Sequence, residues 1–512
     1  MLAELPTENS LIPPAVFLLP VLAGALLFAI PRLNRAFQQW ISVLTAALVC
    51  GLGGWMADQA ARGTVLTSWN GELRVDALSA LMVAIIGAIG LLTTTYSTRY
   101  LDERMAEGPI ARRTRIFYGL VLWFMGTMLW GCVTNNVIML YVAIEATTLT
   151  SGLLVAFYWD RRALEAGYKY LMLLTIGITF ALFGCVLLYA SAAATGKLAG
   201  GSAVLISDIR HVAQFIPGKT AAITIAFLII GFGTKAGIAP FHPWLPDAHA
   251  EAPAPVSVLL SGVMIKMALY ALARTVGIFY PAWPQITLFV VALGCFTMLL
   301  GIILALTQND LKRLLAYSSV SQMGYVLAGI GLGTYLGCYG GLFHLLNHAI
   351  YKSLLFMCVG AVMYATGARR ISELGGLRRR MPVTSACFLL GALAISGFPP
   401  LNGFWSKLTI YLALANAGLW WAAVIAILAS ILTTVVMVRA GYRVFWGDPS
   451  PASVAHQGAP GAVATAATGE VPARMFIPMI ILAAACAVLG IFPQAPYPLL
   501  HRAAAILATL GK

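Results

Sequence analysis

Apolar segments of membrane-spanning length follow one another along almost the whole chain. A helix needs about 20 mostly apolar residues to cross the hydrocarbon core of a bilayer. Windows of this kind occur at fourteen places, namely about residues 11–30, 38–57, 77–97, 116–134, 136–158, 168–192, 220–241, 253–278, 285–306, 316–335, 338–365, 383–412, 418–446 and 475–494. This succession predicts an all-α integral membrane protein with fourteen transmembrane helices.

The charge content supports the same fold class. Only 10% of the 512 residues are charged and 60% are hydrophobic, whereas soluble chains carry about 25% charged residues. The first ten residues contain no Lys or Arg, so the first apolar segment lacks the basic start of a secretory signal peptide and is expected to remain as a helix. We therefore expect one polytopic membrane domain over residues 1–512.

The positions of Lys and Arg predict an orientation. With the N-terminus outside, 20 of the 32 Lys and Arg residues fall on inside segments, 8 fall on outside segments and 4 lie within spans. This bias follows the positive-inside rule and places both termini outside a bacterial inner membrane. It also accounts for the net charge of +14, so we expect no nucleic-acid partner. Residues 448–473, rich in Ala, Gly, Pro and Ser, are expected to form a flexible cytoplasmic linker.

The eight cysteines carry no cofactor signature. No two of them lie closer than 20 residues in the sequence, which excludes the short spacings typical of zinc and iron–sulfur sites. No nucleophile–base pair, P-loop or dinucleotide fingerprint is recognisable either. We expect no cofactor and no metal in this chain, so electron carriers would have to lie on partner subunits.

Two of the predicted spans contain proline interruptions at similar places. The seventh reads GFGTKAGIAPFHPWLPDAH and the twelfth reads AISGFPPLNGFWSKL, and both contain Gly-x-x-Pro followed by an apolar residue. Proline removes a backbone N–H and frees carbonyl groups of the preceding turn, which a membrane tolerates only against protein or a wet cavity. The simpler alternative is that each proline only kinks a packing helix.

The two breaks lie five spans apart, which predicts an internal repeat. Spans 4–8 (residues 116–278) and spans 9–13 (residues 285–446) would each contain one broken helix, and an odd number of spans inverts one copy relative to the other. Paired broken helices in inverted repeats are typical of transporters.

Five ionisable residues lie well within the apolar spans. They are Glu145, Lys235, Lys266, Lys352 and Lys407. A charge at the centre of a transmembrane helix costs about 2.5–3.5 kcal/mol on insertion scales. Because burial destabilises an ammonium group and a nearby carboxylate stabilises it, movement of a carboxylate can make a buried lysine hold or release a proton. The alternative for Glu145 and Lys235 is a purely structural ion pair.

Histidines add to this set of titratable groups. His344, His348 and Lys352 are spaced by four residues, so they line one face of the eleventh span. Histidine titrates near neutral pH and such a stripe can pass protons, although a histidine in a bundle can also be a satisfied core residue. His242 and His249 flank the first break and are secondary candidates.

Several strings resemble one known superfamily. YVAIEATTLTSG, GFGTKAGIAPFHPWLPDAHAEAPAPVSVLLSGVMIK, DLKRLLAYSSVSQMGY and HLLNHAIYKSLLF resemble the antiporter-like subunits of respiratory complex I, membrane-bound [NiFe] hydrogenases and Mrp-type cation/proton antiporters. The similarity covers about residues 75–445. The segment around Glu145, together with DAHAEAPAPVS, most resembles component F of hydrogenase-4 type complexes, with the M-like subunit of complex I as a near neighbour.

The resemblance implies fourteen helices, inverted five-helix repeats and a polar axis through the membrane. By the matching motifs, Glu145 would be the carboxylate of the fifth helix, paired with Lys235 of the broken seventh. Lys266 would be the central relay lysine of the eighth helix.

The same resemblance implies that His344, His348 and Lys352 continue the relay through the eleventh helix. Lys407 stands where the family places a terminal Lys or Glu in the broken twelfth. Component F proteins can lack a lysine matching Lys266 and can carry Glu at the position of Lys407, so this axis is more similar to that of a complex I pump.

The favoured hypothesis is a proton-translocating, non-redox subunit of an energy-converting oxidoreductase complex, either hydrogenase-4-like or complex I-like. Its partners would be other membrane subunits, a peripheral redox arm, lipid, and protons or Na⁺. The alternatives are an Mrp-type cation/proton antiporter subunit, a membrane partner in inorganic-carbon uptake, and a structural subunit that has lost transport.

Overall fold

The structure is a computed structural model that describes residues 6–30, 33–104, 113–198, 202–280, 282–448 and 469–509. Most of the predicted linker at 448–473 lies outside these ranges. At its far end, Glu470 accepts hydrogen bonds from the backbone N–H groups of Val383 (2.7 Å) and Thr384 (3.0 Å). The last residues of the predicted linker therefore pack against the start of a helix.

Helices dominate the described chain. In chain order they are α1 Ile12–Ala29, α2 Arg35–Arg62, α3 Ala77–Arg104, α4 Thr114–Val133, α5 Val137–Val155, α6 Arg161–Ala194, α7 Ile206–Val212, α8 Gly218–Ala236, α9 Trp244–Glu251, α10 Ala254–Leu259, α11 Ile265–Val276, α12 Gln285–Leu306, α13 Leu311–Gly331, α14 Tyr335–Thr366, α15 Pro382–Ser396, α16 Asn402–Asn416, α17 Trp420–Gly441, α18 Ala473–Ile491 and α19 Tyr497–Thr509. A π-helical segment, Leu260–Met264, joins α10 to α11, and a second one, Tyr442–Trp446, extends α17.

Twelve helical segments of the described chain are long and apolar enough to cross a membrane. The chain is therefore a multi-pass membrane protein whose spans are helices, as the succession of apolar windows predicted. Several helices extend beyond the apolar windows. The longest, α6, begins at Arg161, seven residues before the predicted window, because Asp160 caps it by accepting from the N–H of Ala163 at 2.7 Å.

A small sheet at one end of the bundle was not predicted. Strands β1 Thr7–Asn9 and β2 Val65–Ser68 pair in parallel, and β2 pairs with β3 Leu73–Val75 in antiparallel fashion. The strands are only three or four residues long, which is too short for an alternating pattern to stand out between two long apolar segments. The sheet joins the segment before α1 to the connection between α2 and α3.

Burial identifies the centre of the bundle. The most apolar window of Ala254–Phe279 is 100% buried and that of Tyr335–Thr366 is 83% buried, whereas the windows of α1 and α2 are only 39% and 33% buried. The segment that carries Lys266 and the helix that carries the histidine stripe are thus enclosed by the other helices. Charges on them are kept away from lipid.

Glycines allow close helix packing at this centre. A Cβ at Gly329 of α13 would lie 2.9 Å from the Cα of Gly341 in α14, and a Cβ at Gly324 would lie 2.5 Å from the carbonyl oxygen of Gly294 in α12. Small residues let transmembrane backbones approach in this way. The close packing holds α13 against both α12 and α14, and the polar groups described below meet between α13 and α14.

Candidate functional site

The first break begins at the end of α8, two residues after Lys235. Gly237 ends the helix in the left-handed conformation with φ 71°, which glycine adopts at little cost. The N–H of Ile238 then donates back to the carbonyl of Gly233 at 2.9 Å. The indole of Trp244, at the start of α9, donates to the carbonyl of Thr234 at 2.9 Å, so the break leaves this carbonyl satisfied.

Lys235 is fully buried beside the break and is held by hydroxyl groups. Its ammonium donates to Thr148 Oγ1 at 3.0 Å and to the hydroxyl of Tyr170 at 3.4 Å. Glu145 lies near enough to interact electrostatically with Lys235, but the two form no ion pair within 4.0 Å. Glu145 instead accepts from Thr175 at 3.4 Å, and its second oxygen is buried without a partner in the described part of the chain.

Lys266 lies directly after the π-helical segment that joins α10 to α11. Its ammonium donates to the carbonyl of Ser261 within that segment, and the Ser261 hydroxyl lies 2.7 Å from that of Ser319 in α13. A π-helical turn shifts the backbone hydrogen bonding and is common at functional sites. Gly262 gives the segment room, since a Cβ there would clash with the hydroxyl of Ser353 in α14.

The predicted histidine stripe lies on α14 as expected and is completely buried. His344 is bonded through Nδ1 to Ser406 at 3.0 Å and through Nε2 to Gln322 at 3.1 Å. The ring of His348 lies 6.5 Å from that of His344, and both of its nitrogens are without a hydrogen-bond partner among the described residues. Lys352, the third member of the stripe, donates to the carbonyl of Leu315 at 2.7 Å.

The second break lies between α15 and α16. Gly397 ends α15 in the left-handed conformation with φ 82°. Lys407 of α16 then reaches back across the break, where its ammonium donates to Ser430 Oγ at 2.9 Å and to the carbonyl of Ser396 at 3.4 Å. It also lies 5.0 Å from the centre of the Tyr325 ring, close enough for a cation–π interaction.

The two secondary candidates have different surroundings. His249 is fully buried, its ring stacks on Phe356 with centroids 4.7 Å apart, and neither nitrogen has a hydrogen-bond partner in the described ranges. His242 is 8% exposed at the first break and lies 6.2 Å from the ring of Tyr317. His249 is thus inside the bundle and His242 at its edge.

Sequence reasoning missed one buried lysine. Lys312 is only 2% exposed, and its ammonium donates to the carbonyl of Ala252 at 2.5 Å. The apolar windows place it in the connection between the ninth and tenth spans, because the tenth window begins only at residue 316. The available signal was Asp310, which accepts from the N–H of Lys312 at 2.9 Å and is a favourable helix N-cap residue.

A chain of ion pairs ties the first break to the start of α13. Arg313 pairs with Asp247 at 2.9 Å, and Arg369 pairs with Glu251 at 3.1 Å and with Asp310 at 2.9 Å. The side chains are partly exposed, so each pair contributes about 0–1 kcal/mol. Their effect is to fix the position of α9, which carries His249, relative to Lys312.

The lysines of the axis share an electrostatic feature. Lys235, Lys266, Lys352 and Lys407 are at most 2% exposed, and in the described chain none of them lies within 4.0 Å of a carboxylate. Their hydrogen-bond partners are hydroxyl and carbonyl groups. The carboxylate of Glu145 lies near enough to Lys235 to interact with it electrostatically. Buried amines with neutral partners can exist with or without a proton, which is what transfer along a series of sites requires.

Comparison with known proteins supplies the family. Residues 134–433 match the family described as "NADH:quinone oxidoreductase/Mrp antiporter, TM". Over 431 residues the chain is 34% identical to NADH-quinone oxidoreductase subunit N of Desulforudis audaxviator, and the alignment covers 83% of both chains. It is also 34% identical over 388 residues to a hydrogenase-4 component F homologue of Methylacidiphilum infernorum, covering 74% of this chain and 80% of the homologue.

A solved structure has the same fold over nearly the full length. The membrane-bound sulfane sulfur reductase, described as an archaeal respiratory membrane complex, contains a chain that superposes with a TM-score of 0.85 at 25% identity, with 98% of each chain covered. Together with the sequence matches, this shows that the protein belongs to the NADH:quinone oxidoreductase/Mrp antiporter family of membrane subunits. The resemblance inferred from the motifs is thereby confirmed.

Proposed function

We propose that this chain translocates protons as the non-redox membrane subunit of an energy-converting oxidoreductase complex, of hydrogenase-4 or NADH:quinone oxidoreductase type. The observation that carries the proposal is the series of buried lysines at and between two broken helices, with Glu145 close to Lys235 alone. A purely structural subunit would have no need of four buried ammonium groups without carboxylate partners, because each costs free energy in the membrane.

The proposed topology has fourteen crossings. To the twelve apolar segments we add α13, which is less apolar because it carries the serines beside the axis, and the two halves α15 and α16 taken together. Residues 116–278 and 285–446 would then be inverted repeats with α8 and α15 at equivalent places. With both termini outside and a cytoplasmic linker at 448–473, the bias in Lys and Arg follows the positive-inside rule.

In the proposed mechanism, Glu145 acts as the switch. In this structure Lys235 is held by Thr148 and Tyr170, and the carboxylate stands apart. If a change in a partner subunit brings Glu145 to the ammonium, Lys235 keeps its proton, and when the pair opens, the proton leaves towards the centre of the bundle. A proton crossing 100 mV requires about 2.3 kcal/mol, which the redox reaction of the partner subunits would supply.

The remaining titratable groups would carry the proton onward. Lys266 and Lys352 are close enough to interact electrostatically, so a proton on one disfavours a proton on the other. His348 and His344 follow on the same helix as Lys352. His344 is hydrogen-bonded to Ser406, the residue directly before Lys407 in α16. His249 and Lys312 lie beside the same region and would serve as a secondary branch.

A cation/proton antiporter subunit is the second candidate, since the family description includes Mrp antiporters. The two candidates differ in what drives transport. An oxidoreductase subunit moves protons when electrons flow in the complex, whereas an antiporter subunit moves them when a Na⁺ gradient is imposed. Hydrogenase or quinone-oxidoreductase subunits that co-purify with the chain would favour the first candidate.

The test uses the complete complex, purified through a tag on this chain and reconstituted into vesicles. Proton uptake is followed with a pH-sensitive dye while the co-purifying subunits turn over. Lys235→Met and Glu145→Gln should each lower proton uptake about tenfold or more, which corresponds to about 1.4 kcal/mol or more on the barrier. Lys219→Met, an exposed lysine near the start of the same helix α8, should leave uptake unchanged.

Assembly must be measured in the same samples by size-exclusion chromatography. Undiminished proton uptake by an assembled Lys235→Met complex would refute the proposed role of the axis. Uptake that requires a Na⁺ gradient and no electron donor would favour the antiporter instead.

A further inference from the structure

A cavity of about 920 Å³ opens at the end of the bundle where α2 ends and α3 begins. It lies away from the lysine axis, on the face that the Lys and Arg bias assigns to the outside. Strand β3, helix α7, the end of α11 and the C-terminal helix α19 all contribute to its walls. Each of these four elements places one arginine in the lining, and these are Arg74, Arg210, Arg274 and Arg502.

The lining carries an excess of positive charge. Two aspartates, Asp76 and Asp208, accompany the four arginines. The charge of Asp76 is balanced within the protein, since Arg274 Nη1 donates to its Oδ2 at 2.6 Å in a buried ion pair. Asp208 accepts a hydrogen bond from Ser207 at 2.9 Å and stands as the remaining acid. The cavity therefore has two more positive than negative groups before any contribution from histidine.

Two of the arginines have guanidinium N–H groups that are available to a ligand. Within the described chain, Arg74 and Arg210 form no ion pair within 4.0 Å. Burial and the positive charges of Arg74 and Arg274 lower the pKa of Arg210. Because a guanidinium keeps its proton under ordinary conditions, this crowding costs free energy, and an anion seated between the groups would offset it.

Arg502 is fixed in place by the C-terminal end of α2. Its Nε donates to the carbonyl of Ala61 at 2.7 Å and its Nη2 to that of Arg62 at 3.2 Å. Gly63 makes this possible, since a Cβ there would lie 2.6 Å from Nη1 of Arg502. A guanidinium has five N–H donors, so the two carbonyls leave three for a ligand in the cavity.

The cavity stands at the level of the membrane surface. Helix α19 closes one side, and its exposed aromatic residues pack on those of α14. The hydroxyl of Tyr335 lies 2.6 Å from Nδ1 of His501, and the rings of Tyr339 and Tyr497 lie 5.9 Å apart. Tyrosines are enriched at the headgroup level of a bilayer. The anions concentrated at this level are the headgroups of anionic lipids, which makes a lipid headgroup the favoured ligand of the cavity.

We propose that this cavity binds a phosphate group, supplied by the headgroup of an anionic phospholipid. Arg74, Arg210 and Arg502 would donate to the phosphate oxygens, for which the planar fork of arginine is well suited. Arg274 would stay paired with Asp76 and form the floor. The bound lipid would fasten α19 to the outer ends of α2 and α11, and this role is independent of proton transfer along the lysine axis.

The experiment measures lipid retention by the purified complex. After delipidation the complex is supplied with phosphatidylglycerol or phosphatidylcholine, and the bound lipids are counted by native mass spectrometry. Phosphatidylglycerol should be retained about tenfold better by the wild type than by the double variant Arg74→Gln/Arg210→Gln, corresponding to a tenfold change in Kd. The control Arg162→Gln/Arg379→Gln removes two exposed arginines on the other face and should retain it as the wild type does.

Inorganic phosphate in large excess distinguishes the two sources of the ligand. Failure of phosphate to displace the lipid supports a headgroup site, and displacement supports a phosphate site open to the free anion. Equal phosphatidylglycerol retention by the wild type and the double variant would overturn the proposal, and so would an equal loss in the control. Arg502→Gln provides a second variant at another wall, and it should lower retention in the same direction.

Discussion

The two broken helices have the same backbone design but place their lysines differently. In both, a left-handed glycine ends the helix, and the next residue donates to the carbonyl five positions earlier, from Ile238 to Gly233 at 2.9 Å and from Phe398 to Leu393 at 3.1 Å. Lys235 precedes its break and Lys407 follows its break. The backbone alone therefore does not define what each lysine does.

The backbone carbonyl groups at the two breaks accept hydrogen bonds from different kinds of donor. At the first break the carbonyl of Thr234 accepts only from neutral groups among the described residues, the backbone N–H of Gly237 at 3.1 Å and the indole of Trp244 at 2.9 Å. At the second break the carbonyl of Ser396 accepts from Lys407 itself and from Ser430 at 2.9 Å. The first lysine is thus left to interact with Glu145, whereas the second is also part of the structure of the break. We expect substitutions at the two breaks to separate these roles.

The largest effect is expected from a methyl group placed inside the second break. A Cβ at Gly403 would collide with the backbone carbonyl of Ala394, which cannot move without displacing α15. Overpacking of this kind costs about 1–3 kcal/mol or more. Gly403→Ala should therefore remove most of the folded protein, as seen by size-exclusion chromatography of solubilised membranes.

Gly233→Ala is the matched change at the first break. The atom nearest to a Cβ there belongs to Ile238 at 3.5 Å, an ordinary contact, so this variant should be recovered in full. Full recovery of Gly403→Ala would mean that the second break adapts more easily than its close packing indicates.

The next effect concerns the hydroxyl groups beside the two lysines. Ser430→Ala leaves Lys407 with one hydrogen bond among the described residues, to the Ser396 carbonyl at 3.4 Å, besides its contact with the Tyr325 ring. A hydrogen bond to a charged group contributes about 1.5–3 kcal/mol. Proton uptake should fall about tenfold. Thr148→Val removes the matching hydroxyl from Lys235, which keeps Tyr170 and Glu145 as partners, so uptake should fall about threefold or less. Equal losses would show that the two lysines depend on their hydroxyls alike.

Much of this arrangement could be predicted from the sequence because a membrane simplifies the problem. Apolar length fixes the helices, and a charge in an apolar segment is conspicuous whatever its partners. Lys235, Lys266, Lys352 and Lys407 were found in this way, and the structure buries all four. The breaks were visible because proline and glycine act locally on the backbone.

What could not be predicted depends on contacts between distant segments. Nothing in the sequence around Lys235 indicates that Thr148 and Tyr170, rather than Glu145, would be its hydrogen-bond partners. The π-helical segment before Lys266 has no residue signature, since it arises from packing against α13 and α14. Lys312 was misplaced because it stands at the first turn of a helix, where hydropathy gives no boundary.

The smallest expected effect concerns the side-chain donor at the first break. Trp244→Phe keeps an aromatic ring but removes the side-chain N–H that donates to the carbonyl of Thr234. Trp244 is 1% exposed, so water does not replace the lost donor, but the carbonyl keeps the backbone N–H of Gly237 at 3.1 Å. The expected cost is therefore that of one hydrogen bond, about 0.5–1.5 kcal/mol in the free energy of unfolding. A lower midpoint of thermal unfolding in detergent should reveal it, while proton uptake per assembled complex stays within about twofold, since Lys235 keeps its own partners. Trp420→Phe, at a position that is 68% exposed on α17, should leave the midpoint unchanged. A large loss of uptake in Trp244→Phe with an unchanged midpoint would reverse the comparison, because the indole would then act on the proton path rather than on the closure of the break.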